Sequence, residues 1–122
     1  KLLAGEPGEI TGDGEQTRDF TYIDDIVEML MLAATSRIFG ESFNAGAGED
    51  VSINYVYRTI SEIMGVHIDA INTPKVYEPR RTLADTTKAR RLLGWKPKVK
   101  IEDGLFLTVK NTLKLSEIKN KE

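Results

Sequence analysis

The side chains in this sequence with the clearest chemistry to offer are cations. Arg18 follows the glycine turn Gly12-Asp13-Gly14 in "GDGEQTRDFTYIDDI". A guanidinium held on a structured segment beside such a turn is able to grip phosphate oxygens through two parallel hydrogen bonds. The local alternative is an ion pair with Asp19 or Asp25, the common state of neighbouring opposite charges at a surface. A second group, Lys75, Arg80 and Arg81 around Glu78, lies in the proline-bounded stretch "PKVYEPRRTLAD". Cations there suit phosphate, and the carboxylate suits sugar or ribose hydroxyls. A solvated charged loop is the plainer alternative.

Other chemistries are closed by composition. There is no cysteine, which removes disulfides, thiolate metal sites and cysteine nucleophiles together. His67 is the single histidine, so a histidine metal cluster is impossible; its setting reads as a solvated or edge-strand position. The Gly12–Gly14 turn lacks a third glycine and the lysine and serine of a phosphate loop, and reads as a plain turn. The longest apolar run, Met29 to Ala34, is far shorter than the roughly 20 residues of a membrane span. With no signal peptide visible, the expected compartment is cytoplasmic.

Charge is distributed unevenly. The net charge is -2, but residues 1–74 carry 4 basic and 13 acidic side chains and residues 75–100 carry 9 and 2. The basic block invites an anionic partner. Nucleic acid is a poor fit, because no reader motif accompanies Trp95 and the whole chain is mildly acidic. At 122 residues the chain is long enough to bury a core unaided.

Several elements must position these residues. Gly8 to Ile10 reads as a short strand, and Arg18 to Tyr22 alternates as another, with Arg18, Phe20 and Tyr22 on one face. From Ile23 the period is helical: Ile23, Ile26, Val27, Leu30 and Ala34 form a stripe, Met29 and Leu32 add apolar side chains beside it, and Asp24 and Asp25 suit the first turn. Ser42 to Ala45 is an expected strand. Ser52 is a good N-cap for a helix from Ile53 to Met64, stopped by Gly65. "VHIDAINT" alternates as an exposed strand. Asp85 is placed to cap a short helix with Ala89, Leu92 and Leu93 inward and Gly94 at its end, and a last helix starts near Ile101 with Leu105, Val109 and Leu113 in line. Residues 116–122 read as a frayed tail. Alternating strands and helices make the class α/β.

Taken in order, "GDGEQTRDFTYIDD", "SFNAG", "LADTTKARRLLGWKPK" and "IEDGL" resemble the C-terminal part of the extended short-chain dehydrogenases that epimerise or dehydrate nucleotide sugars. The likeness runs from Lys1 to about Asn111 and is strongest to the NAD-dependent UDP-glucose and UDP-N-acetylglucosamine 4-epimerases. It implies a Rossmann-type fold of short strands and about four helices, without its N-terminal dinucleotide-binding half. Residues 1–115 would form a substrate-binding lobe, and the helix and strand at about 24–45 would pack on the missing cofactor domain, or be covered by self-association.

The resemblance also assigns roles. Arg18 stands where the family's "RDF" arginine binds the sugar-nucleotide diphosphate. Lys75 occupies the place of a second phosphate-binding cation, usually arginine, and Glu78 that of an acid receiving ribose hydroxyls. Lysine lacks the guanidinium fork, so Arg80 or Arg81 is an alternative ligand. Ile10 lies near the position lining the uridine pocket, while Asp24 or Asp25 and the "LGW" turn look structural. The implied ligand is a UDP-sugar or dTDP-sugar, with NAD as cofactor of a full-length parent and none expected on this fragment. The parent would be a UDP-sugar 4-epimerase, or a 4,6-dehydratase or reductase of the same family; a stand-alone binding module is the reading of another class. The family's glycine-rich cofactor turn and Tyr-x-x-x-Lys pair are missing: Tyr22, Tyr55, Tyr57 and Tyr77 are followed four residues on by Ile26, Thr59, Ser61 and Arg81. Without that pair no group takes the sugar hydroxyl proton, so the chain by itself is expected to be inactive.

Overall fold

A computed structural model describes residues 1–119. After a 3-10 turn at Leu2–Ala4, the chain forms β1 (Glu9–Thr11), β2 (Thr17–Arg18), α1 (Ile23–Thr35), β3 (Val51–Ser52), α2 (Ile53–Met64), β4 (Ile71–Thr73), α3 (Thr87–Leu93) and α4 (Ile101–Lys119). β1 pairs in parallel with β4, Ile10 opposite Asn72, and β2 pairs antiparallel with β3, Arg18 opposite Val51. The other edge of β2 is also used. Thr17 bridges Arg81: its N–H donates to the Arg80 carbonyl at 2.9 Å, and its carbonyl accepts the Thr82 N–H at 3.2 Å.

The helices follow their local signals closely. Ser52 Oγ accepts the Tyr55 N–H at 3.1 Å, so α2 begins where the cap predicts, and Gly65 ends it with φ of 65°. Asp85 caps α3 from one residue outside the helical boundary, Oδ1 accepting the Thr87 N–H at 2.9 Å. α4 continues past Ser116 to Lys119, and the rest of the expected tail, 120–122, lies outside the described residues.

Four expectations are corrected. The strand expected over "VHIDAINT" is only Ile71–Thr73, the three residues that pair with β1. The strand at Arg18–Tyr22 is only Thr17–Arg18, because both of its hydrogen-bonded neighbours end there. Ser42–Ala45 is not a strand: no described strand lies beside it, although Phe43 and Ala45 pack on the core. Leu92 is exposed, while Ala89 and Leu93 face inward.

α1 presents a different face from the one its main stripe suggests. Ile23, Val27 and Leu30 are exposed, Leu30 by 61%, and so is Met31. Met29 and Leu32 instead join Ala89, Trp95, Phe43, Ala45 and Leu93 in the core. Periodicity locates a stripe but does not say what it packs against. The dominant stripe is left as an uncovered apolar surface.

Asp25 closes this core with hydrogen bonds. It is 2% exposed, its carboxylate accepts the Lys98 and Val99 N–H groups at 3.0 and 3.1 Å, and its carbonyl accepts from Trp95 Nε1 at 2.9 Å. A buried carboxylate needs such partners, and its place in the first turn of α1 adds the favourable helix dipole. Asp25, with Trp95, is thus a structural residue, as the motif suggests. Removing the carboxylate leaves two backbone donors unpaired in a closed site. Asp25→Ala is therefore expected to lower unfolding free energy in urea by about 3 kcal/mol, and Asp25→Asn by less because one acceptor oxygen remains. A loss below about 0.5 kcal/mol for Asp25→Ala would show that the 98–99 segment is held by packing alone.

Candidate functional site

The turn before Arg18 is pinned from two elements. Gly12 and Gly14 have φ of 71° and 74°, conformations that cost glycine nothing. Asn72 Nδ2 donates to the Gly12 carbonyl at 2.7 Å; from α2, Asn54 Nδ2 donates to the Asp13 carbonyl at 2.9 Å and the Asn54 N–H to the Gly14 carbonyl at 3.0 Å. A Cβ on Gly14 would overlap the Asn54 amide. The three carbonyls of this turn and the Gly12 N–H, which donates to the Thr73 carbonyl at 3.0 Å, are thus committed to the protein.

Arg18 leaves that turn on a strand clamped at both edges. Its Nη2 lies 2.5 Å from Glu78 Oε2, and its Nη1 donates to the Thr17 carbonyl at 2.7 Å. The two side chains are 24% and 30% exposed, so the pair is partly withdrawn from water. Asp19 and Asp25, the local candidates, are both committed elsewhere. Asp19 Oδ1 accepts the Ala47 N–H at 2.6 Å, and Oδ2 accepts the Gly48 and Ala84 N–H groups at 3.1 and 3.2 Å. The sequence reading missed that role. An Asp next to an Arg signals an ion pair, and backbone donors 28 to 65 residues away carry no side-chain signature.

Glu78 joins Arg18 to a small cleft lined by Thr11, Gly12, Asp13, Gln16, Lys75 and Arg80, with a free volume of about 20 Å³. Gln16 is buried there, its Nε2 donating to the Thr11 carbonyl at 2.8 Å. Arg80 Nη1 contacts both carboxylate oxygens of Asp13, at 2.7 and 2.9 Å, and this hydrogen bonding holds the Asp13 carboxyl below its ordinary value. Lys75 is exposed and makes no ion pair with a described residue.

Arg81 and Ile10 do not line the cleft. Arg81 turns to Asp50, Nε to Oδ2 at 3.0 Å and Nη2 to Oδ1 at 2.8 Å, the parallel geometry in which guanidinium and carboxylate match best. Ile10 is buried and lines a separate groove with Asn54, Tyr57, Ser61 and Ile68. Arg18, Glu78, Lys75 and Arg80 form one neighbourhood because β2 is bridged directly to the 80–82 segment.

The family described as GDP-mannose 4,6 dehydratase matches residues 1–108. The chain belongs to this family. A UDP-glucose 4-epimerase from Mycolicibacterium smegmatis is 35% identical over 109 residues, covering 88% of this chain and 35% of that protein. The crystal structure of a UDP-glucose 4-epimerase with UDP-glucose from Thermotoga maritima superposes with a TM-score of 0.87 at 38% identity, covering 93% of this chain and 37% of that one. A dTDP-glucose 4,6-dehydratase from Bacillus anthracis in complex with NAD has the same TM-score at 25% identity, with 95% and 37% covered. The chain thus spans about a third of the length of the relatives it matches. These matches bear out the resemblance to nucleotide-sugar epimerases and dehydratases of the short-chain dehydrogenase type, and its α/β fold with four helices and short strands.

Members of this family are NAD-dependent, and the described residues of this chain do not fit that cofactor. A dinucleotide site needs a strand that passes through a glycine turn into a helix N-terminus. Here the Gly12–Gly14 turn leads into β2, and α2 follows β3 without an intervening residue. Among the described residues no helix is long and apolar enough to cross a membrane.

The Arg81–Asp50 pair carries a pH signature. Its guanidinium, with a smaller contribution from the Thr17 hydroxyl, pulls the Asp50 carboxyl down from 3.8 to about 2. A depressed carboxyl contributes stability that is complete above its unfolded value and is lost as pH falls through the folded one. The urea midpoint of the chain is therefore expected to exceed that of Arg81→Ala near pH 6, with the gap closing between about pH 4 and pH 2. A gap of the same size at both ends of that range would show that the pair is not its source.

Proposed function

We propose that this chain is the nucleotide-sugar-binding lobe of an NAD-dependent UDP-sugar 4-epimerase, with residues 1–115 forming the lobe and Arg18 anchoring the substrate diphosphate. The observation that carries this reading is the setting of Arg18. It is fixed on a strand hydrogen-bonded at both edges, beside Lys75 and Arg80, in a chain 38% identical to an epimerase whose structure contains UDP-glucose. A rigidly held guanidinium loses little freedom on gripping a phosphate, and binding energy at that remote group orients the reacting sugar elsewhere.

The arrangement also supports a choice of second cation. Arg80 and Arg81 are engaged with Asp13 and Asp50, whereas Lys75 has no carboxylate to surrender and lines the same cleft as Glu78. Lys75 is the second phosphate ligand, and Glu78 takes the ribose hydroxyls. The uncovered face of α1, Ile23, Val27, Leu30 and Met31, is the seat of the cofactor domain that would carry NAD and the proton-transfer pair. The chain contains no thiols to protect or pair, which suits a cytoplasmic enzyme.

A 4,6-dehydratase is the second reading. Its support is the Bacillus anthracis dTDP-glucose 4,6-dehydratase, which superposes as well as the epimerase but at lower identity.

Calorimetric titration of the chain with UDP-glucose and dTDP-glucose tests both. UDP-glucose is expected to bind more tightly, Arg18→Ala and Lys75→Ala each to weaken binding by at least about tenfold, and Arg81→Ala to leave it within about twofold. Equal binding by the unaltered chain and Arg18→Ala would remove Arg18 from the diphosphate site, and a preference for dTDP-glucose would favour the dehydratase.

A further inference from the structure

Glu78 does more in this geometry than wait for a ribose. Its carboxylate is the present occupant of the Arg18 guanidinium, at 2.5 Å, and it also lines the cleft that contains Lys75 and Arg80. Both terminal nitrogens of the guanidinium are engaged, Nη1 with the Thr17 carbonyl at 2.7 Å and Nη2 with Glu78. A diphosphate that takes a two-point grip on these nitrogens must therefore displace Glu78. We propose that Glu78 is a specificity filter, an internal anion that excludes bare phosphates and yields to ligands that carry vicinal hydroxyls as well as a diphosphate. The inference rests on the reading of Arg18 as a diphosphate anchor and adds a discrimination that this reading does not contain.

The argument is one of compensation. An anion that takes Arg18 must break the Arg18–Glu78 pair and then sit close to the carboxylate it has released. Asp13 is held in the same cleft by Arg80, so the incoming charge meets two carboxylates as well as the cations. For inorganic pyrophosphate nothing repays the displaced Glu78, which loses a charge-assisted hydrogen bond and gains a like-charged neighbour. A nucleoside diphosphate brings two hydroxyl donors that replace the lost guanidinium at the carboxylate. The discrimination arises from a repulsive element in the site as much as from an attractive one.

The test is a titration of the chain, Glu78→Gln and Arg18→Ala with two probes, inorganic pyrophosphate and UDP, with thermal melts confirming that each variant folds. Glutamine keeps the size and polarity of the side chain and removes the charge. In Glu78→Gln, pyrophosphate is expected to bind at least about tenfold more tightly than to the unaltered chain while UDP gains nothing, so the preference for UDP collapses by that factor. An unchanged ratio of the two affinities overturns the filter. If that happens while Arg18→Ala still abolishes UDP binding, the diphosphate anchor stands and only the filter is lost. If Arg18→Ala changes neither probe, or if neither probe binds any of the proteins, the anchor and the filter fall together. Should Glu78→Gln not fold, Glu78→Asp, which withdraws the carboxylate by one methylene, is expected to shift the ratio in the same direction, and an unchanged ratio there overturns the filter equally.

Discussion

The structure around the cleft depends on one carboxylate that never touches a cation. Asp19 accepts hydrogen bonds from the N–H groups of Ala47, Gly48 and Ala84, and in doing so joins β2, the loop before β3 and the segment after the basic loop. A charged acceptor with three backbone donors is a strong and directional knot. Gly46 is shaped to it: a Cβ there would collide with both the Asp19 carboxylate and Ala84. Because Asp19 follows Arg18 directly, this knot fixes the direction in which the guanidinium leaves the strand. The position of Glu78 relative to Arg18 follows from the same constraint, since residues 80–82 bridge to Thr17.

The uneven charge distribution acquires a meaning from the fold. The basic block of 75–100 does find anionic partners, and they are largely in the acidic first part of the chain: Arg80 on Asp13, Arg81 on Asp50, Lys88 on Glu41 and Lys98 on Glu28. Exposed pairs of this kind contribute about 0–1 kcal/mol each. Their effect is on which segments meet, and on leaving a single uncommitted lysine at the cleft. Arg18 inverts the pattern, as a cation of the acidic half held by Glu78 of the basic loop.

How much of this was legible in the sequence depends on whether the cause is local. The bounds of α2 were, because a serine cap and a left-handed glycine act within a few residues of the ends they set. Asp25 and Trp95 were visible as a motif, although their mutual hydrogen bond was not. The strands were read poorly because two- and three-residue strands exist only through their partners, and those of β2 lie some thirty and sixty residues away. The stripe of α1 was legible too, but not which of its apolar residues face this core, because Met29 and Leu32 pack there while Ile23, Val27 and Leu30 are exposed. The candidate cations were all named from the sequence, yet which one keeps its charge available was decided by Asp13 and Asp50, two acids that no local pattern connects to them.

The parallel pairing of β1 with β4 has a consequence for how the cleft comes into being. The cleft is lined by the end of β1 and the residues just after it, from Thr11 to Gln16, and by residues just after β4, from Lys75 to Arg80, and the Thr17–Arg81 bridge closes a comparable stretch of chain. Loops of this length cost entropy to close before any contact repays them, whereas a capped helix such as α2 organises within its own sequence. The cleft is thus expected to form late in folding, after helices that organise within their own sequence. In kinetic terms the cleft has no local precursor, and it exists only once the chain's distant segments have found one another.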